Sequence, residues 1–320
     1  MPTHTLQAAL VQLPRASTDA TGVVAEADQR VLWIGEPRAI PAAAAQLAPG
    51  IGYAITDLGG TPTRADLFAS AWPAPSDTVD RHVVEALRAM RDGATNRVGR
   101  LLAPFAIRFV LVPLADGAVG TLDHPIEPPS GLTEVLDGQL DLAAPLSRPP
   151  NFLVYENTAF APVRSVLSLS GAEASHKAGA ASIAQADLSG SIGFPADGGP
   201  MTSPTSASGN VTPGTLHVAV PYSSDWHLTV GGATVPARLA FGATVAFDVK
   251  AAGPAHLWYD RPWSRLLWVL LQAVAWGATL WIATRARVRR RRDRWVYDPS
   301  AWADPTTPII DLDRTDGVPR

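Results

Sequence analysis

Leu266–Thr284 reads LLWVLLQAVAWGATLWIAT, and how that stretch is read decides how the rest of the chain is read. It carries no formal charge, and its clearly polar residues are Gln272, Thr279 and Thr284. Wound as a helix at ~1.5 Å per residue it spans roughly 28 Å, close to the ~30 Å hydrocarbon core of a bilayer. A core helix would show a polar stripe, whereas this stretch is apolar all round. Arg285, Arg287, Arg289, Arg290, Arg291, Arg292 and Arg294 follow it directly. Such a cluster marks the cytoplasmic end of a span and can hold anionic headgroups. Trp258, Tyr259 and Trp263 precede it, as interfacial aromatics would. A transmembrane helix over 263–285 is expected, with its N-terminal side outside the cytoplasm.

That orientation bears on everything before it. The opening MPTHTLQAALVQLPRASTDATG has no basic n-region and no long apolar h-region. Export of residues 1–262 then requires upstream spans, so the chain is expected to be the C-terminal portion of a larger polytopic protein. The alternative is an inverted topology.

The formal net charge is −3, but seven arginines lie within one decapeptide. The remainder is therefore acidic, which argues against nucleic acid as its partner. Cysteine is absent, which excludes disulfides, thiolate metal sites and a cysteine nucleophile.

Along the chain, residues 1–28 lack periodicity and are expected to form a linker. Val31–Gly35 and Gly52–Thr56 are short apolar runs ended by turn residues, as strands are. Val79, Val83, Leu87 and Met90 fall on one helical face, with Ser76 or Asp77 as cap and Gly93 at the C-terminal turn. A second helical pattern around Val98, Leu101 and Leu102 leads to Ile107–Pro113, a β-branched central strand. A short helix from Ser130 to Leu136 and a strand at Phe152–Tyr155 complete an α/β layer domain over 29–160.

Residues 161–262 have period two. Leu216, Val218 and Val220 share a face; Trp226, Leu228 and Val230 repeat it; Gly231–Gly232 signals a hairpin; and Val235, Ala237 and Leu239 resume. An antiparallel, jelly-roll-like β-sandwich is expected, interrupted by a low-complexity insert over 185–214. The class is therefore α+β with one C-terminal transmembrane helix. Residues 286–320 are expected to be a basic juxtamembrane segment and a disordered cytoplasmic tail.

Chemical motifs are sparse. Asp311-Leu312-Asp313 has the spacing of a metal–nucleotide carboxylate pair but lies in the tail. The seven histidines are scattered, and Gly35-Glu36-Pro37 lacks the further glycines of a nucleotide loop. No cofactor, metal site or catalytic residue is assigned. Asp225-Trp226-His227 is the candidate glycan contact, since an aromatic beside polar groups can stack on a pyranose, although Trp226 is in phase with Leu228 and Val230.

The order of elements resembles the C-terminal, extracytoplasmic region of large actinobacterial family-two membrane glycosyltransferases. The resemblance rests on Arg30-Val-Leu-Trp-Ile-Gly-Glu-Pro37, Gly52-Tyr-Ala-Ile-Thr56 and Thr95-Asn-Arg-Val-Gly-Arg-Leu-Leu-Ala-Pro104, the last running into Ile107–Pro113. It continues in Val154-Tyr-Glu-Asn-Thr-Ala-Phe-Ala-Pro162, Ser223–Thr229, Phe241-Gly242 and Leu257–Arg261. It implies a non-catalytic module, glycan-binding or scaffolding, whose partners are the bilayer, membrane glycosyltransferase segments and envelope glycan. Two alternatives remain. One is a stand-alone single-pass envelope protein that binds polysaccharide or protein. The other is a tail-anchored cytoplasmic hydrolase using residues such as Glu36, Asp57 or His82.

Overall fold

In the computed structural model the described residues are 18–19, 22–23, 29–40, 42, 44–57, 78–115, 123–144, 151–195, 205–260 and 263–293. The side chains of 18–19, 22–23, 57, 263–266 and 286–293 lie outside that description. Thr18–Asp19 (β1) pairs antiparallel with Gly22–Val23 (β2), inside the stretch expected as linker.

Val31–Gly35 is apolar throughout and Ile107–Pro113 at every position but Arg108, whose buried guanidinium is held by Glu156 and Gln29, and the structure shows why. Strand β3 (Arg30–Gly35) lies between β5 (Ile51–Asp57), antiparallel, and β6 (Ile107–Pro113), parallel, in a sheet ordered β4-β5-β3-β6-β8-β7. The other members are β4 (Ala45–Ala48), β7 (Leu142–Ala143) and β8 (Phe152–Asn157). Leu32, Ile34, Val110 and Val112 enter the main apolar cluster on one face. Val31, Trp33, Phe109 and Leu111 form a second cluster on the other. A strand buried on both faces has no position where a polar side chain is cheap. The α/β expectation needs one correction: among the described residues β3–β6 is the one parallel pair in this sheet, and the other ladders are antiparallel.

Helix α1 (Thr78–Arg91) is the amphipathic segment expected, burying Val79, Val83, Ala86, Leu87 and Met90. Gly93, at φ +69°, closes it, and the Ala94 N–H donates to the Ala89 carbonyl at 2.8 Å. The proposed caps Ser76 and Asp77 lie outside the described residues. Helix α2 (Val98–Leu102), a single 3-10 turn (Ala103–Phe105) and α3 (Leu132–Asp137) complete this layer.

From Arg164 onward two antiparallel sheets form. The five-stranded one is ordered β10-β9-β12-β16-β15 and the four-stranded one β11-β17-β13-β14. The first comprises β9 (Arg164–Val166), β10 (Ile192–Gly193), β12 (Gly214–Pro221), β15 (Ala237–Ala240) and β16 (Thr244–Val249). The second comprises β11 (Ser206–Val211), β13 (Trp226–Val230), β14 (Ala233–Val235) and β17 (Gly253–Tyr259). Helices α4 (Leu169–Ala174) and α5 (Ala180–Gln185) lie between β9 and β10 in the chain. Leu216, Val218, Val245 and Phe247 of the first sheet and Trp226, Leu228, Ala255 and Leu257 of the second share one apolar cluster.

One expectation is corrected here. The insert over 185–214 is not structureless: it supplies β10 and all of β11, whose six residues pair with β17. Its Ser and Gly suit an edge strand with one solvated face, so composition alone misleads. Leu216, Val218 and Val220 share one face of β12, as expected, and His217 and Ala219 on the other face are buried as fully as Leu216 and Val218. The second face of β12 packs toward the helical layer: Phe241, Ala243 and Ala246 belong to the same cluster as Val83 and Leu87. The two regions thus share a core, and residues up to Asp260 form one compact unit.

The Gly231–Gly232 hairpin joins β13 to β14 with φ +56° and +84°. Positive φ at both central positions is what a type I′ turn requires. Gly232→Val is expected to cost about 1–2 kcal/mol in a denaturant titration. Beyond β14 the chain changes sheets at Pro236, which has no N–H to continue the ladder.

The second unit begins at Arg261 and contains α6 (Trp263–Asp293). Leu267–Arg285 is the one candidate span among the described residues: 19 residues, mean hydropathy 1.5, none of the window buried. The tail from 294, with Asp311 and Asp313, lies outside the described residues.

Candidate functional site on the outer face of the four-stranded sheet

The strand pleat sorts the candidate residues. Trp226 is 7 % exposed, sits in the apolar cluster with Leu228, and packs against Tyr259 with ring centroids 5.3 Å apart, tilted at 53°. It therefore offers no ring face to a sugar, and Tyr259 packs against the core as well. The pleat points the intervening residues outward: His227 and Thr229 on β13, His256 and Trp258 on β17, Ser206 and Ser208 on β11.

Register brings these together. Ser206 and His227 both pair with Trp258, while Ser208 and Thr229 both pair with His256. The rings of His227 and Trp258 are 5.4 Å apart at 29°, and those of Trp258 and His256 are 5.1 Å apart at 21°. The indole is thus flanked by two imidazoles in an offset stack. Each imidazole also has a polar partner. His256 Nδ1 lies 2.7 Å from Ser208 Oγ, and His227 Nε2 lies 3.2 Å from Asp260 Oδ2. Asp225 shapes the approach to β13: its carboxylate accepts from Ser223 Oγ at 2.9 Å, and its carbonyl accepts from the Asp260 N–H at 2.9 Å. The result is a row of ring edges and imidazole faces bordered by hydroxyls, a surface with both donors and acceptors for a polyhydroxylated ligand.

Sequence reasoning placed His227 here but assigned Trp258 to the membrane interface and left His256 unassigned. The signal was present in Gly253–Tyr259. Ala255, Leu257 and Tyr259 hold the inward phase, so His256 and Trp258 must take the outward one.

Of the remaining anchors, Arg285 lays its guanidinium 4.2 Å from the Trp281 ring centroid. The side chains of Trp263, Arg287, Arg289 and Arg290 lie outside the described residues. Of the alternative catalytic residues, Glu36 pairs with Arg38 at 2.8 Å, and His82 Nδ1 sits 2.7 Å from the Thr78 carbonyl. The Asp57 side chain lies outside the described residues. Among the described residues no group of three or more His, Asp or Glu is placed to hold a metal.

Comparison with protein-family models, curated proteins and solved structures finds no match to this chain.

Proposed function

We propose that this chain is a membrane-tethered, non-catalytic module of a cell-envelope glycosyltransferase system, with residues 1–262 outside the cytoplasm and the tail inside. Its β-rich part is, on this reading, a jelly-roll-like sandwich whose outer face meets glycan. The reading is carried by one pairing within the chain. A 19-residue apolar helix segment with none of its window buried follows a unit that displays the His227–Trp258–His256 stack. The helix supplies the tether and the stack supplies hydrogen-bonding and aromatic contact. The order of motifs resembling the family-two enzymes supports the choice of system.

Topology tests it. The chain lacks cysteine, so Asn210→Cys and Ser300→Cys can each be labelled singly in intact cells, in the native genomic context, with an impermeant maleimide. Asn210 is exposed on the edge strand β11. Labelling at 210 alone is the expected result. Labelling at 300 alone inverts the topology and removes the glycosyltransferase reading.

A further inference from the structure

On the helical side of the first unit lies an open cleft of about 840 Å³, formed by the end of α1, residues 94–97, α2, α3 and α5. Ligand sites commonly measure ~300–1,000 Å³. Small residues keep this one open, notably Gly93, Ala94, Gly138, Ala181 and Ala184.

Arg97 and Arg100 line it. Both turn to one carboxylate, Asp141, at 3.2 and 3.7 Å, and Arg100 also lies 3.8 Å from Asp187. Glu134 lines the cleft as well. Two guanidiniums are thus paired with two carboxylates behind the lining, with the Glu134 carboxylate on the wall, so an added phosphate or uronate gains little net attraction. Gln139 shapes the wall only. Its amide is spent on the Val98 N–H and on the Thr95 and Val135 carbonyls.

Two atoms of the cluster are left over. Arg100 Nε and Asp141 Oδ2 are buried without a hydrogen-bond partner. The 3.7 Å from Arg100 Nε to Asp141 Oδ1 exceeds hydrogen-bond reach. A hydroxyl can serve either orphan atom, since it both donates and accepts, whereas a carboxylate only accepts and an ammonium only donates. Reaching them requires a rotamer change, and Arg97, with its side chain 39 % exposed, is the freer arginine.

We propose that the cleft binds neutral sugar units of a glycan, their hydroxyls engaging the Arg97–Asp141–Arg100 cluster and Glu134. The inference rests on the glycan reading above and adds a site distinct from the sheet face. The full chain in detergent micelles is titrated with mannotetraose, galactotetraose and tetragalacturonate, followed by saturation-transfer NMR and calorimetry. At least one neutral tetrasaccharide is expected to bind more tightly than the uronate. Ala181→Trp, which fills the cleft from an exposed position, is expected to weaken binding at least tenfold, and Asp141→Asn similarly. Trp258→Ala is expected to leave it within twofold. Undiminished binding in Ala181→Trp, preference for the uronate, or no binding to any of the three overturns the cleft inference. Loss in Trp258→Ala alone overturns it too, yet leaves the glycan reading standing on the sheet face.

Discussion

Lowering the pH from 6.5 to 4.5 is expected to remove roughly 2 kcal/mol of unfolding free energy, the slope approaching about 1.4 kcal/mol per pH unit below pH 6. The cause is His217. Its ring is fully buried in β12, edge-on to Phe241 at 5.4 Å. The Thr244 hydroxyl donates to the Ala240 carbonyl at 3.0 Å, so it accepts from His217 Nε2 at 2.9 Å. That fixes the proton on Nε2 and leaves Nδ1 buried without a partner. Burial, reinforced by the charges of Arg30 and Arg238, pushes the imidazole pKa from 6.5 to about 3.

The sign follows from proton counting. Between pH 6.5 and 3 the unfolded chain binds a proton at this position and the folded chain does not. Stability is therefore complete above 6.5 and declines as pH falls through the window. Asp187 and Asp248 act at the acid end. Hydrogen bonds from Ser189 and from Arg238, respectively, hold their carboxyls below the ordinary value. Their contributions are lost only as pH falls below the usual carboxylate range, and both are solvent-accessible enough for the effect to be small. Chemical unfolding of wild type and His217→Leu across pH 4.5–7.5 checks this. The variant should lose most of the slope above pH 4.5, and a flat wild-type profile there would refute a buried neutral imidazole.

Gly99→Ala is expected to cost about 3 kcal/mol, although alanine is the better helix former by ~1 kcal/mol. Gly99 lies in α2 with no unusual φ, so space alone demands glycine. A Cβ there would stand 2.5 Å from Asn157 Oδ1, 2.6 Å from Asp141 Cβ and 3.0 Å from the Asp141 carbonyl. Neither neighbour can yield. Asn157 Nδ2 donates to the Gly99 and Ile107 carbonyls, each at 2.9 Å, and its Oδ1 accepts from the Ala159 N–H at 3.0 Å. Asp141 holds Arg97 and accepts at its carbonyl from the Thr158 N–H at 2.9 Å. Overpacking plus a broken buried network outweighs the propensity gain. For a unit of this size the melting temperature should fall by roughly 6–12 °C. A shift of under two degrees would show that the neighbours relax freely.

The candidate site was half legible. His227 was visible as a polar residue beside a strand aromatic, but Trp226 was the aromatic named with it, while Trp258 was assigned to the membrane interface. The strand phase buries Trp226 and sets Trp258 beside His227. The Arg97–Asp141–Arg100 cluster could not be read at all, since Asp141 is more than forty residues from Arg97 and no periodicity links them.

The sequence alone determined the features that rest on short-range pattern. The amphipathic face of α1 follows from its 3.6-residue period, the 231–232 hairpin from its two glycines, and the unburied helix from an uninterrupted apolar run. Tertiary structure alone decided that β3 pairs parallel with β6, that the Ser/Gly-rich 206–211 stretch is a strand, that the chain changes sheets at Pro236, and that His217 is sealed inside. Each of these depends on which partner arrives across a long stretch of chain. Backbone groups pair with whatever strand is delivered to them, and a polar side chain is buried once a second layer covers its face.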